Sequence, residues 1–73
     1  MESKELNEWW AILVFAEDGK SLGSVDRDDP NNMVLTKVNA DQIQYPDAEI
    51  CWFHINQLKE AFPNLQFVAR RVK

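Results

Sequence analysis

A chain of 73 residues, 8.5 kDa and formal net charge −4 has room for one domain, spanning 1–73, and a thin margin of stability. Its composition, 45% hydrophobic and 27% charged with three Trp and four Phe, is too apolar and aromatic for a disordered chain. One Cys excludes an internal disulfide, and one His beside it cannot complete a tetrahedral structural zinc site.

The opening Met1 to Glu5 is acidic and has no apolar stretch of signal type. The longest uncharged apolar run, Trp9 to Ala16, has 8 residues, where a membrane span needs roughly 20. A soluble, cytoplasmic protein with no membrane contact is expected.

The sequence predicts a β-hairpin over residues 8–26. Asp18-Gly19 is a two-residue turn signal, because Gly accepts the positive φ that a type I′ turn requires. Counting outward pairs Glu17 with Lys20, Phe15 with Leu22 and Ile12 with Val25. Trp10 then comes near Arg27, within reach of a cation–π contact. Both rows of the first strand are apolar: Trp9, Ala11, Leu13 and Phe15 on one side, Trp10, Ile12, Val14 and Ala16 on the other. Side chains alternate along a strand, so this is the pattern of a central strand covered on both faces.

Residues 26–32 are a polar loop, closed by Pro30 and an Asn pair. Met33 to Val38 is a short strand. Asn39-Ala40-Asp41-Gln42 fits a capping box and predicts a short helical turn, which Tyr45-Pro46 ends. Asp47 to Phe62 is the one substantial helix, with Asp47 as N-cap and Pro63-Asn64 as stop. Its apolar stripe is Ala48, Cys51, Trp52, Ile55, Leu58 and Phe62, at spacings of three and four. A competing assignment makes Glu49 to His54 a strand and starts the helix at Ile55. Leu65 to Val72 closes the chain as a strand with Leu65, Phe67 and Ala69 on one side and Gln66, Val68, Arg70 and Val72 on the other. The order β-β-β-α-β gives an α+β fold: an antiparallel or mixed sheet of three to four strands with one helix on one face.

Chemistry is thinly represented. Gly19-Lys20-Ser21 resembles the end of a phosphate-binding loop, but position 14 is Val where that loop has Gly, and a hairpin turn lacks the helix N-terminus that supplies donors. Cys51 and His54 stand at i, i+3, a spacing that can activate a thiolate, yet Cys51 falls in the apolar stripe, where a thiol is an inert hydrophobe. The cluster Asp26, Asp28, Asp29, Asn31 and Asn32 has Asn31 and Lys37 where a calcium loop needs Gly and Glu. No catalytic, cofactor-binding or metal-binding residue is expected, and the chain is not expected to be an enzyme.

Charge is uneven. Residues 1–36 hold 8 acids and 3 bases, residues 37–73 hold 4 acids and 5 bases, and the last 12 residues contain Arg70, Arg71 and Lys73 with no acid. A pI near 4.7 argues against direct nucleic-acid binding. Trp9-Trp10 is the most informative pair. The two point to opposite faces, and one helix covers only one face of a small sheet. One aromatic row is therefore left partly uncovered, unless residues 1–8 or the 39–46 segment fold over it. An uncovered row led by Trp9 or Trp10, with Tyr45, Arg70 and Arg71 at its rim, is a protein-binding surface, since Trp, Tyr and Arg anchor interfaces.

In length, acidity, hairpin-plus-helix layout and lack of catalytic residues, the whole chain resembles the small phage-encoded proteins that bind host RNA polymerase. The resemblance rests on no motif and carries over no residue. It implies a regulator that docks on a polymerase subunit and inhibits or redirects transcription, as a monomer more than as a dimer. Two other readings stay open: a homo-oligomeric structural or interaction protein in which the uncovered row meets its own copy, and an acidic nucleic-acid mimic that inhibits a DNA-binding enzyme.

Overall fold

The computed structural model describes residues 8–72. Four antiparallel strands, β1 (Trp10–Phe15), β2 (Ser21–Arg27), β3 (Val34–Thr36) and β4 (Gln66–Arg71), form one sheet in the order β3-β2-β1-β4. A single helix, α1 (Ala48–Ala61), packs on one face, as the α+β reading anticipates. Apolar on both sides, β1 takes a central place between β2 and β4, and Ala11, Ile12 and Val14 are fully buried.

The hairpin closes differently from the two-residue turn expected. The Gly19 N–H donates to the Ala16 carbonyl and the Ala16 N–H to the Lys20 carbonyl, both at 2.9 Å. Three residues therefore bridge the strands, with Gly19 at φ 88 as the bulge residue. A type I′ turn needs positive φ at both central positions, and no residue other than Gly has it here. Lys20 thus faces Ala16 instead of Glu17, and Phe15 faces Ser21 instead of Leu22. A register shift restores the counted pairing at Val14↔Gly23 and Leu13↔Ser24.

The ladder between β1 and β2 stops there. Where Ile12 was to meet Val25 and Trp10 to approach Arg27, residues 42–45 enter between the two strands. Trp10 and Tyr45 exchange both backbone hydrogen bonds, and the Ile43 N–H donates to the Val25 carbonyl at 2.9 Å. Arg27 instead pairs with Val34 on β3. A 3₁₀ turn at Asn39–Asp41 leads into this segment; its cap is Val38 with no side-chain bond, so the proposed capping box is not formed.

The helix is continuous from Ala48, which removes the alternative strand at Glu49 to His54. Asp47 caps it by accepting from the Ile50 N–H at 2.8 Å, and Phe62 ends it through its N–H to the Leu58 carbonyl. Glu49 in the first turn and Lys59 in the last suit the helix dipole. Cys51, Ile55 and Leu58 are buried against Ile12, Val14, Val25, Tyr45 and Phe67, with Phe62 packed at the margin. Trp52 does not belong to this stripe and is 44% exposed. Each residue advances about 100° around the helix, so Trp52 leaves a full quarter-turn away from Cys51.

Burial of this kind is worth roughly 1.5–3 kcal/mol per large side chain. Leu58→Ala should remove about 2–5 kcal/mol, comparable to the whole stability of so small a domain, and a urea midpoint that does not move would contradict the packing. The two glycines should differ. A Cβ on Gly23, at φ 115, would lie 2.6 Å from the Thr36 carbonyl oxygen, whereas one on Gly19 meets nothing within 4 Å. Gly19→Ala should therefore cost about 1 kcal/mol from backbone strain alone, and Gly23→Ala clearly more, because β3 must also move. Equal losses in parallel denaturation curves would show that β3 is not held closely against β2.

Candidate functional site

Among the described residues, the face of the sheet opposite the helix is the more open one; residues 1–7, the other candidate cover for it, lie outside the described residues. Alternation places Ala11, Leu13 and Phe15 there, with Gln66, Val68 and Arg70 of β4 and Ser24 and Thr36 of β2 and β3. Trp9 continues the row, since its carbonyl accepts from the Val72 N–H at 2.7 Å and so extends the β1–β4 ladder by one pair. Trp9, Leu13 and Phe15 are half-buried and none packs against the core cluster; Val68 is 43% exposed. The 39–46 segment divides: residues 43–45 run within the sheet with Ile43 and Tyr45 turned to the core, while Asn39 stands beside Leu13, Ser24 and Arg70 on this face and Gln42 and Gln44 border it.

Two shallow hollows lie on this face, of about 470 Å³ and 230 Å³, and share Asn39 and Arg70 on their walls. Gln42 and Gln44 border the larger one; Leu13, Ser24 and Thr36 border the smaller. Among the described residues, the charged ones lining the two are Lys37, Arg70 and Arg71, all cationic, in a chain where acids outnumber bases 12 to 8.

The residues singled out in the sequence divide between the two faces. Trp9 fronts the open row. Trp10 turns to the helix side, packs against the core and donates from Nε1 to the Glu8 carboxylate at 3.3 Å. Arg70, opposite Ala11, stands on the open face, while Arg71, opposite Trp10, starts from the helix side and reaches the larger hollow at the end of the strand. Tyr45 is not a rim residue: it is 5% exposed and part of the core, because its backbone is locked to Trp10 and its ring lies under the helix.

What Tyr45 does instead was not visible in the sequence. Its hydroxyl donates to Asp28 Oδ2 at 2.7 Å, and the same oxygen lies 3.3 Å from His54 Nδ1. The His54 ring stacks on Tyr45 at 4.9 Å, with Phe53 edge-on at 5.4 Å. Three distant positions, one after β2, one in the inserted segment and one on the helix, are thereby clamped together. No single spacing or motif announces such a cluster. Burial, and then the hydrogen bond to Asp28, push the Tyr45 phenol far above its ordinary range. Burial alone pushes the Cys51 thiol up to about 11. Its Sγ points at the Ala11 carbonyl, 3.8 Å away, while His54 engages Asp28, so the two do not act as a thiolate–imidazole pair.

Among the described residues, no three His, Cys, Asp or Glu side chains converge as a metal site would require, and no helix is long and apolar enough to cross a membrane. The exposed apolar residues of the helix do not form one patch. Ile50 and Phe53 share a flank with His54, and Trp52 leaves from the far side, about 200° round from His54.

Both raised groups make the fold sensitive to alkali. A folded-state pKa above the unfolded one gives stabilisation that is complete below the unfolded value and fades above it. For Cys51 the window opens near the ordinary thiol value of 9.0 and closes near 11, and for Tyr45 it opens near the ordinary phenol value of 10.0 and extends upward. The lone Tyr should accordingly stay un-ionised in ultraviolet difference spectra at pH 10–11 until the chain unfolds, and titration at the ordinary phenol value in a folded chain would refute its burial. Tyr45→Phe should lose about 1 kcal/mol, the Asp28 hydrogen bond, with the ring packing kept; thermal denaturation measures it.

Compared with known proteins, the chain matches no family model, no curated protein and no solved structure.

Proposed function

We propose that the chain is a non-enzymatic protein-binding module that docks a larger protein on the open face of its sheet. The observation that supports this most is the row Trp9, Leu13, Phe15 and Val68, apolar, partly exposed and left uncovered by the one helix. Such a row is unfavourable in water and favourable once a partner removes it. Enzymatic work has little to stand on there. Ser24 and Thr36 border the smaller hollow, but among the described residues no His, Asp or Glu lines either hollow to activate their hydroxyls. The acidic loop offers a mimic of nucleic acid less than the sequence suggests. Asp28 is held by Tyr45 and His54, and Asp29 accepts from the Asn31 N–H.

A bacterial RNA polymerase subunit, bound so that transcription is inhibited or redirected, is the partner that the resemblance to phage-encoded regulators names. The test is an amide-shift titration of the labelled chain with purified bacterial RNA polymerase. Broadening should centre on Trp9, Leu13, Phe15 and Val68. Val68→Asp and Trp9→Ala should leave the fold intact and weaken binding by about 2 kcal/mol or more. Shifts confined to the 26–32 loop would favour the mimic. Sedimentation as a dimer that hides this row would favour the homo-oligomer.

A further inference from the structure

One flank of α1 has no element covering it among the described residues. Phe53 on that flank is 58% exposed, and Ile50, one turn earlier, is 39% exposed. The 26–32 loop runs beside it, tied to the helix by the contact of Asp28 with His54. One turn beyond His54, Pro30 of the loop and Gln57, Glu60 and Ala61 of the helix border a shallow hollow of about 410 Å³. Glu60 is its only charged lining residue among the described residues. A cleft with an apolar wall and acidic charge therefore follows the helix.

Asp28 is the polar anchor of this cleft. Both of its contacts, the Tyr45 hydroxyl at 2.7 Å and His54 Nδ1 at 3.3 Å, fall on Oδ2. Oδ1 accepts no hydrogen bond and is not buried, and no Lys or Arg, the adjacent Arg27 included, pairs with the carboxylate among the described residues. Two contacts on one oxygen fix the direction of the side chain, so a ligand that binds the other oxygen has little left to order.

We infer that this cleft takes an arginine of a partner protein: its guanidinium donates to Asp28 Oδ1 and lies against the exposed Phe53 ring, while an apolar residue of the same segment covers Ile50. A guanidinium is weakly hydrated, directs its N–H groups in a plane and stacks on aromatic rings, so one side chain satisfies the carboxylate and the ring together. A metal ion fits less well, because it asks for several oxygen ligands and no three acidic, His or Cys side chains converge among the described residues. The field of the chain points the same way. Residues 1–36 hold 8 acids against 3 bases, which speeds the approach of a basic segment and repels an acidic one.

The cleft lies on the helix side of the sheet, so this inference does not rest on the open face being a docking surface. The labelled full chain is titrated with three capped peptides that differ only in their charged residue, Arg, Lys or Glu, set between Leu and Ser, and separately with calcium chloride. The salt is held at about 0.15 M, where exposed charges are screened beyond about 8 Å. The Arg peptide should shift the Asp28, Asp29, Phe53 and Gln57 amides saturably and leave Leu13 and Val68 unmoved. The Lys peptide should bind several-fold more weakly and the Glu peptide not at all. Asp28→Asn should weaken the Arg peptide at least tenfold and Phe53→Ala several-fold. Glu17→Gln, which removes the same charge at the turn end of the hairpin, should change it less than twofold. Phe53 lies outside the core, so its variant decides the matter even where Asp28→Asn loosens the fold. Equal losses for Asp28→Asn and Glu17→Gln, or none for Phe53→Ala, would leave only the general attraction of an acidic chain for a base and overturn the inference. Calcium shifting the same amides in preference to the peptide, or peptide shifts centred on the Trp9 row, would overturn it too. If RNA polymerase broadens the Trp9 row while the Arg peptide leaves Asp28 and Phe53 untouched, the open face stands and the cleft falls.

Discussion

The rest of the molecule is arranged around the pair of backbone hydrogen bonds between Trp10 and Tyr45. They hold residues 42–45 in the gap where β1 and β2 part after Leu13 and Ser24. Three things follow from that wedge. The helix begins three residues beyond Tyr45, so its start and direction are fixed where the wedge leaves the sheet. Alternation within the wedge sends Ile43 and Tyr45 into the core. The same alternation sends Gln42 and Gln44 to the side that the helix does not cover, where they border the larger hollow. One short segment thus helps to build the core and to furnish the opposite surface.

Most of the element order was legible because each element carries its own local signal. Asp47 and Pro63 bracket the helix, and the period-two pattern from Leu65 to Val72 assigns each β4 residue to the side it occupies. The wedge was missed although Gln42-Ile43-Gln44-Tyr45 alternates polar and apolar residues. Four residues are too few for a period to stand out, and Gln42 also fits a capping box with Asn39. Neighbouring a tight turn is equally ambiguous. Asp-Gly serves a two-residue loop or a three-residue one, and the choice lies in the strand register, which the bulge at Leu22 shifts.

Surface residues were harder than buried ones for a physical reason. Spacing shows that two residues share a side of a helix or strand; it does not show what lies opposite. Trp52 meets the three-and-four spacing with Ala48 and Ile55, yet the buried face is centred on Cys51, Ile55 and Leu58, about 100° away, and Trp52 stays exposed. Tyr45 was assigned to a surface because nothing in its neighbourhood reveals that Asp28 and His54 will reach it. For the Trp9-Trp10 pair, alternation required opposite faces. Which of the two became the outward one depended on where the helix landed, and hence on the wedge.

The edge position of β4 bears on how the protein behaves at high concentration. An edge strand offers unpaired backbone groups along one side and invites a second copy to extend the sheet. A parallel, in-register neighbour of the same sequence would set Arg70 and Arg71 directly against their own copies. Like charges set across strands oppose that pairing, and Phe67 and Ala69, the apolar residues that would reward it, are turned to the core. The arginines therefore act as gatekeepers against fibre-like stacking, and they do so through a charge that salt screens within about 8–10 Å. Colloidal stability should then decline with ionic strength at this edge first, even though the chain is acidic overall.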